Sequence, residues 1–100
     1  MPRYKRILLK LSGEALCDGT SPYNHLSWTP SSGATSYDVY RDGGFYYDLA
    51  TLGTTFDNTV VTAGTTYTYF IRATNAAGST DSNTITLTAN VCAKPGAFTL

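Results

Sequence analysis

From Tyr23 onward the chain is a succession of short stretches in which apolar and polar residues alternate, each closed by turn-forming residues. Period-two alternation marks a strand with one face buried, and many such segments at short intervals predict two packed sheets. Residues 24–29 set Leu26 and Trp28 on one face and His25 and Ser27 on the other, before Pro30 and Ser31-Ser32-Gly33 end the strand. Residues 36–41 turn Tyr37 and Val39 inward. Asp42-Gly43 predicts a two-residue hairpin of the primed type, because both positions tolerate positive φ and the twist of that turn matches its strands. A return strand over 45–50 follows, then a short one over 54–57.

After the Ala63-Gly64 step comes the longest alternation, with Tyr67, Tyr69, Ile71 and Ala73 on one face and Thr68, Phe70 and Arg72 on the other. Residues 75–78 read as a loop and 82–89 as a last strand, with Ile85 and Leu87 facing the core. At the front, residues 6–11 alternate too, with Ile7, Leu9 and Leu11 on one side, and serve as a first edge strand whose outward charges discourage edge-to-edge aggregation. The count is seven strands, and no ten-residue stretch carries a helical pattern.

Composition supports this. The chain has 100 residues, enough for one domain that buries roughly two-thirds of its unfolded surface. Charged residues make up only 14%, and the 17 Thr and 8 Tyr favour a pleated, half-buried surface over a helix. The formal net charge is zero, yet Arg3, Lys5, Arg6 and Lys10 crowd the first ten residues, and from Leu11 onward three basic residues face seven acidic ones. That asymmetry sets the first segment apart and argues against nucleic acid as a partner, which needs a broad basic face. The apolar run of residues 7–9 is too short for a membrane span or a signal-peptide core.

The run Leu26-Ser27-Trp28-Thr29-Pro30, then Tyr37-Asp38-Val39-Tyr40-Arg41, then Gly64-Thr65-Thr66-Tyr67, then Ala73-Thr74-Asn75 with Gly78 and Ser82, resembles a bacterial fibronectin type III domain in order and spacing. The resemblance covers residues 17–92. It implies an all-β fold, a seven-stranded antiparallel immunoglobulin-like sandwich, with Trp28 in the core toward which alternation also turns Tyr37. It also implies that Tyr67 closes the corner before the sixth strand through a backbone partner near Val61. Residues 94–100 resemble the opening of a further repeat; a polar tail is the other reading. The first sixteen residues stand apart, because Tyr4 to Leu16 is similar to the amino-terminal strand and loop of bacterial uridylate kinase. Lys10 and Gly13 match that family's phosphate-contacting positions and are expected to be inert here, since the similarity stops at Cys17. The segment reads as a foreign start that stands in for a first strand.

Candidate chemistry is sparse. Cys17 and Cys92 are the only thiols and are too far apart in sequence for a CxxC-type metal pair. In a seven-strand sandwich the turn after the first strand and the end of the last share one pole, so a disulfide is expected; two free thiols in a reducing compartment are the alternative. His25 reads as a solvated strand residue, and the aspartates fall at turns and strand edges. No catalytic residue, metal site or cofactor is expected. The richest surface is the hairpin carrying Tyr40, Arg41, Phe45, Tyr46 and Tyr47, whose aromatics suit stacking on a sugar or a partner protein. Cross-strand packing is the plainer role for them.

The expected function is therefore a non-catalytic spacer in a secreted or surface-attached multidomain bacterial protein, with neighbouring domains as its partners and an extracellular setting that the resemblance implies. The alternatives are a polysaccharide- or protein-binding module using the aromatic hairpin and, last, a uridylate kinase fragment.

Overall fold

The computed structural model describes residues 9–49 and 52–92, and among them it forms eight strands and no helix. One sheet holds β1 (Leu11–Asp18), β2 (Ser21–Trp28) and β5 (Thr55–Asn58), in the order β1-β2-β5. The other holds β3 (Ser36–Arg41), β4 (Gly44–Leu49), β6 (Thr66–Asn75), β7 (Gly78–Asp81) and β8 (Ile85–Thr88). Its order is β4-β3-β6-β7, with β8 also paired to β6. Every ladder is antiparallel. The all-β two-sheet sandwich expected from the alternation is what forms.

The strand count differs because residues 78–81, ahead of the expected last strand over 82–89, form a strand of their own, while the expected one shortens to Ile85–Thr88. β7 pairs with the second half of β6 and β8 with the first half. Between them Ser82 keeps contact with β6, donating its amide to the Ile71 carbonyl (2.8 Å) and accepting the Ile71 amide on its hydroxyl oxygen (2.9 Å). Asn83 then turns to the opposite sheet. Its side chain accepts the Leu11 amide (2.8 Å) and donates to the Leu11 carbonyl (3.0 Å), standing in for a strand peptide at the head of β1.

The first strand is also displaced from its expected position. It runs over Leu11–Asp18 rather than 6–11; residues 6–8 lie outside the described residues, while Leu9 and Leu11 are both buried. β1 pairs with β2 in unbroken register from Leu11 opposite Trp28 to Asp18 opposite Ser21. Gly13 allows the close approach. A Cβ there would sit 2.8 Å from Ile85 Cδ1 and 3.0 Å from the His25 carbonyl oxygen, so the absent side chain gives β8 its place beside β1. The strand therefore crosses the junction between residues 16 and 17 at which the two resemblances divide the chain.

The β3–β4 turn is the one the Asp-Gly pair predicts, with φ of 53° at Asp42 and 85° at Gly43. Leu26, Trp28, Tyr37, Val39, Tyr67, Tyr69, Ile71 and Ala73 form the core with Leu9, Leu11 and Ala89. Trp28 packs edge-on against Tyr37 at 5.7 Å, and the Tyr37 hydroxyl accepts the Ser31 amide (2.8 Å).

Since Leu11 is 2% exposed, Leu11→Ala should lower unfolding stability by about 2–4 kcal/mol in a denaturant titration. A change near zero would mean that β1 contributes nothing to the core.

Candidate functional site

The hairpin aromatics divide into two groups, and a β-bulge between Val39 and Tyr40 is the cause. It pairs Tyr40 with Phe45 and Val39 with Tyr47, leaving Tyr46 as the extra residue. Tyr40 and Phe45 meet edge to face on the outer side of the sheet, with centroids 5.9 Å apart. Tyr40 also stacks on Phe70 of β6 at 4.7 Å. Tyr46 and Tyr47 instead turn to the other sheet, where both meet Phe56 of β5, Tyr47 by stacking at 4.9 Å. Phe45 and Tyr47, 60% and 48% exposed, are the rings that reach solvent most.

Each group packs against an arginine. The Arg41 guanidinium lies 4.2 Å from the Tyr46 ring centroid and 4.8 Å from that of Tyr67, and it donates to the Val60 carbonyl (2.8 Å). Arg72 stands 4.6 Å over Tyr40, donates to its hydroxyl (2.9 Å) and forms a two-pronged pair with Asp81 at 2.7 and 3.0 Å. The Arg72 guanidinium holds the Asp81 carboxyl below its ordinary range, and Arg72 in turn is pushed up. Next to it, Asp38 lies directly opposite Asp48. Partial burial and then that second carboxyl raise the pKa of Asp38, against the pull of Arg72.

Tyr67 accepts the Thr62 amide on its hydroxyl (2.8 Å), a corner closed one residue beyond Val61. That bond is the main reason its phenol lies below the ordinary value. Tyr69 was expected on the core face, but its polar partners were not foreseen. The Tyr69 hydroxyl accepts the side-chain amides of Asn24 (2.9 Å) and Asn58 (2.7 Å), while Asn58 Oδ1 accepts the Tyr46 hydroxyl (2.9 Å) and the Val60 amide (3.2 Å). Both asparagines are fully enclosed. The available signal was alternation itself, because Asn24 falls on the same face as Leu26 and Trp28.

The remaining expected residues have plain placements. Cys17 and Cys92 are disulfide-bonded, with Cα atoms 5.8 Å apart, and Cys17 lies near the end of β1 rather than in the turn after it. His25 sits on the solvent side of β2, its Nδ1 2.5 Å from Asp57 Oδ1. Among the described residues no group of three or more His, Cys, Asp or Glu side chains could hold a metal. Lys10 and Gly13 belong to β1 and its approach: the Lys10 amide donates to the Thr29 hydroxyl, and Gly13 is paired with Leu26. A shallow groove of about 230 Å³ between the turn at Ser31 and Ser32 and the β6–β7 hairpin brings together only small, hydroxyl and amide groups such as Thr74, Asn75 and Ser79.

No protein-family model matches the chain. It is similar to an amylopullulanase of Thermoanaerobacterium saccharolyticum, 46% identical over 59 residues, which are 54% of this chain and 5% of that protein. It is also similar to exoglucanase B of Cellulomonas fimi, 40% identical over 79 residues, which are 76% of this chain and 7% of that protein. The chain thus spans less than a tenth of the length of these relatives. Among solved structures, an Fn3-like protein from Clostridium thermocellum superposes with a TM-score of 0.63 at 27% identity, covering 82% of this chain and 91% of that one. The fold is that of a fibronectin type III domain.

Tyr69→Phe leaves two enclosed amides without their acceptor and should cost about 1–3 kcal/mol of unfolding free energy, with the disulfide intact. On the outer face, Asp81 has a depressed pKa, so its contribution is present above the ordinary value of 3.8 and is lost as pH falls through the folded-state value. Asp38 has a raised pKa, so its ionisation costs stability above the folded-state value, and that cost is gone below 3.8. Asp81→Asn should therefore lower the thermal midpoint by a few degrees at most at pH 7, and Asp38→Asn should leave it unchanged or raise it. Both differences should close in strong acid, as melting curves at several pH values would record.

Proposed function

We propose that this domain is a non-catalytic spacer of a secreted or surface-attached multidomain bacterial protein that degrades polysaccharide. The observation that carries this reading is the internal use of the side chains best suited to chemistry or binding. Arg41 and Arg72 are half-exposed but engaged, by aromatic rings and by the Val60 carbonyl and Asp81 respectively, His25 is paired with Asp57, and the two thiols are joined. The two enzymes to which the chain is similar support the setting, since the matching stretch is 5% of one and 7% of the other. A spacer needs only a stiff body with separated points of entry and exit. Leu11 heads β1, Cys17 lies one residue before its end, and Cys92 is bonded beside Cys17, so these points lie roughly 20 Å apart along one strand.

A second reading, a polysaccharide-binding module, rests on the exposure of Phe45 and Tyr47. The two are separated by retention on insoluble starch, cellulose and chitin. The spacer reading expects the isolated chain to stay in the supernatant with each. Retention that disappears in Phe45→Ala or Tyr47→Ala, with the melting curve preserved, would replace it with the binding reading.

A further inference from the structure

The Cys17–Cys92 bond closes a covalent loop with a sequence separation of 75, which contains β2 to β8 entire and leaves only the greater part of β1 outside. Tension applied to the chain from its two sides enters at the head of β1, where Leu11 pairs with Trp28 and Asn83. It then runs along the strand to Cys17, crosses the sulfurs to Cys92, and leaves. β1 is already extended, with eight consecutive register pairs and no bulge. A strand rises about 3.3 Å per residue against a limit near 3.6 Å, so pulling the stretch to its limit, or peeling it from β2, adds almost no length.

We propose that β1 and the disulfide form a taut tether that carries load past the sandwich, which hangs from it as a side loop. The inference rests on the spacer reading for the source of the load, namely neighbouring domains moving relative to one another. A covalent bond near the end of an extended strand converts a domain that would lengthen on unfolding into a link of fixed length. Had the cysteine on β1 been at its head, the pull would bypass β1 as well; near the far end it preserves the roughly 20 Å offset between entry and exit. Besides the β1–β2 ladder and the buried Leu11 side chain, the hydrogen bonds of the Asn83 side-chain amide to Leu11 and of the Asn90 side-chain amide to the Ala15 carbonyl (2.9 Å) hold the tether against the domain. These contacts act in parallel with the covalent path through β1 and the sulfurs, which stays continuous whether or not they hold.

The test is single-molecule stretching of the full chain held by handles at its two ends. Without reductant, no lengthening step beyond a few ångströms is expected at forces that unfold β-sandwiches. With dithiothreitol, thiol–disulfide exchange breaks the S–S bond: the dithiol gives two electrons and two protons to the two sulfurs and becomes a cyclic disulfide. A step of roughly 250 Å should then appear, set by the hidden residues at about 3.4 Å each. Cys17→Ser should show that step without reductant. Because this variant can fail to fold, reduction of the same held molecule is the primary measurement. A step near 250 Å before reduction, or none after it, overturns the proposal. Either result leaves the spacer reading in place, since the retention assays decide that question without applying force.

Discussion

Two phenol groups on the inward, buried face of β6 must find hydrogen-bond partners within the protein, and much of the sandwich is arranged around that requirement. Tyr67 and Tyr69 are successive core positions of the strand that pairs with β3, β7 and β8. An enclosed hydroxyl without a partner costs about 1–3 kcal/mol, which is a large part of the stability of a small domain. Tyr67 meets the requirement locally, through the Thr62 amide, and so fixes the turn that leads into its own strand. Tyr69 meets it across the sandwich, through Asn24 on β2 and Asn58 on β5. Asn58 passes the constraint to Tyr46 on β4, so one hydroxyl sets the relative position of four strands in two sheets. Burial raises the pKa of the Tyr69 phenol against the pull of both amides, keeping it in the neutral form that the network uses.

What was legible in the sequence follows from range. Alternation is local, and it placed Leu26, Trp28, Tyr37, Val39, Tyr67, Tyr69, Ile71 and Ala73 on inward faces without error. The Asp42-Gly43 turn is local too. The displaced first strand was not, because the residues from Ser12 to Asp18 are mostly exposed, as an edge strand permits, and carry weak alternation. What fixes them is Asn83, 72 residues away, together with the space left by Gly13 against Ile85. The separate strand at Gly78–Asp81 and the late start of the last one have the same origin: Ser82 replaces a ladder carbonyl with its hydroxyl, a substitution that neither hydropathy nor spacing reveals.

The aromatic hairpin shows a different limit. Strict alternation sends Phe45 and Tyr47 to one side and Tyr46 to the other. The bulge at Val39 and Tyr40 undoes that assignment, and Tyr46 and Tyr47 both reach Phe56 while Phe45 joins Tyr40. A single unpaired residue is enough, since the side-chain period of a strand is two and one extra residue exchanges the faces. The surface that looked continuous in sequence is thus two clusters, each stacked against a different arginine.

The disulfide was expected from the topology of the poles, and its physical meaning depends on where along β1 it falls. By the chain-entropy model a loop of 75 residues stabilises the fold by about 4 kcal/mol, whichever residue of the strand carries the sulfur. Thermodynamics therefore does not choose Cys17 over a position nearer Leu11. Geometry does, because only a bond near the far end of the strand keeps an extended segment in series with the sulfurs and separates the points at which neighbours would attach. The same placement leaves the polar network, the tyrosine corner and both arginine clusters inside the loop. Interactions that are individually weak under force are, by this connectivity, removed from the path of force, and the domain can hold its shape with a core no stronger than that of an ordinary small sandwich.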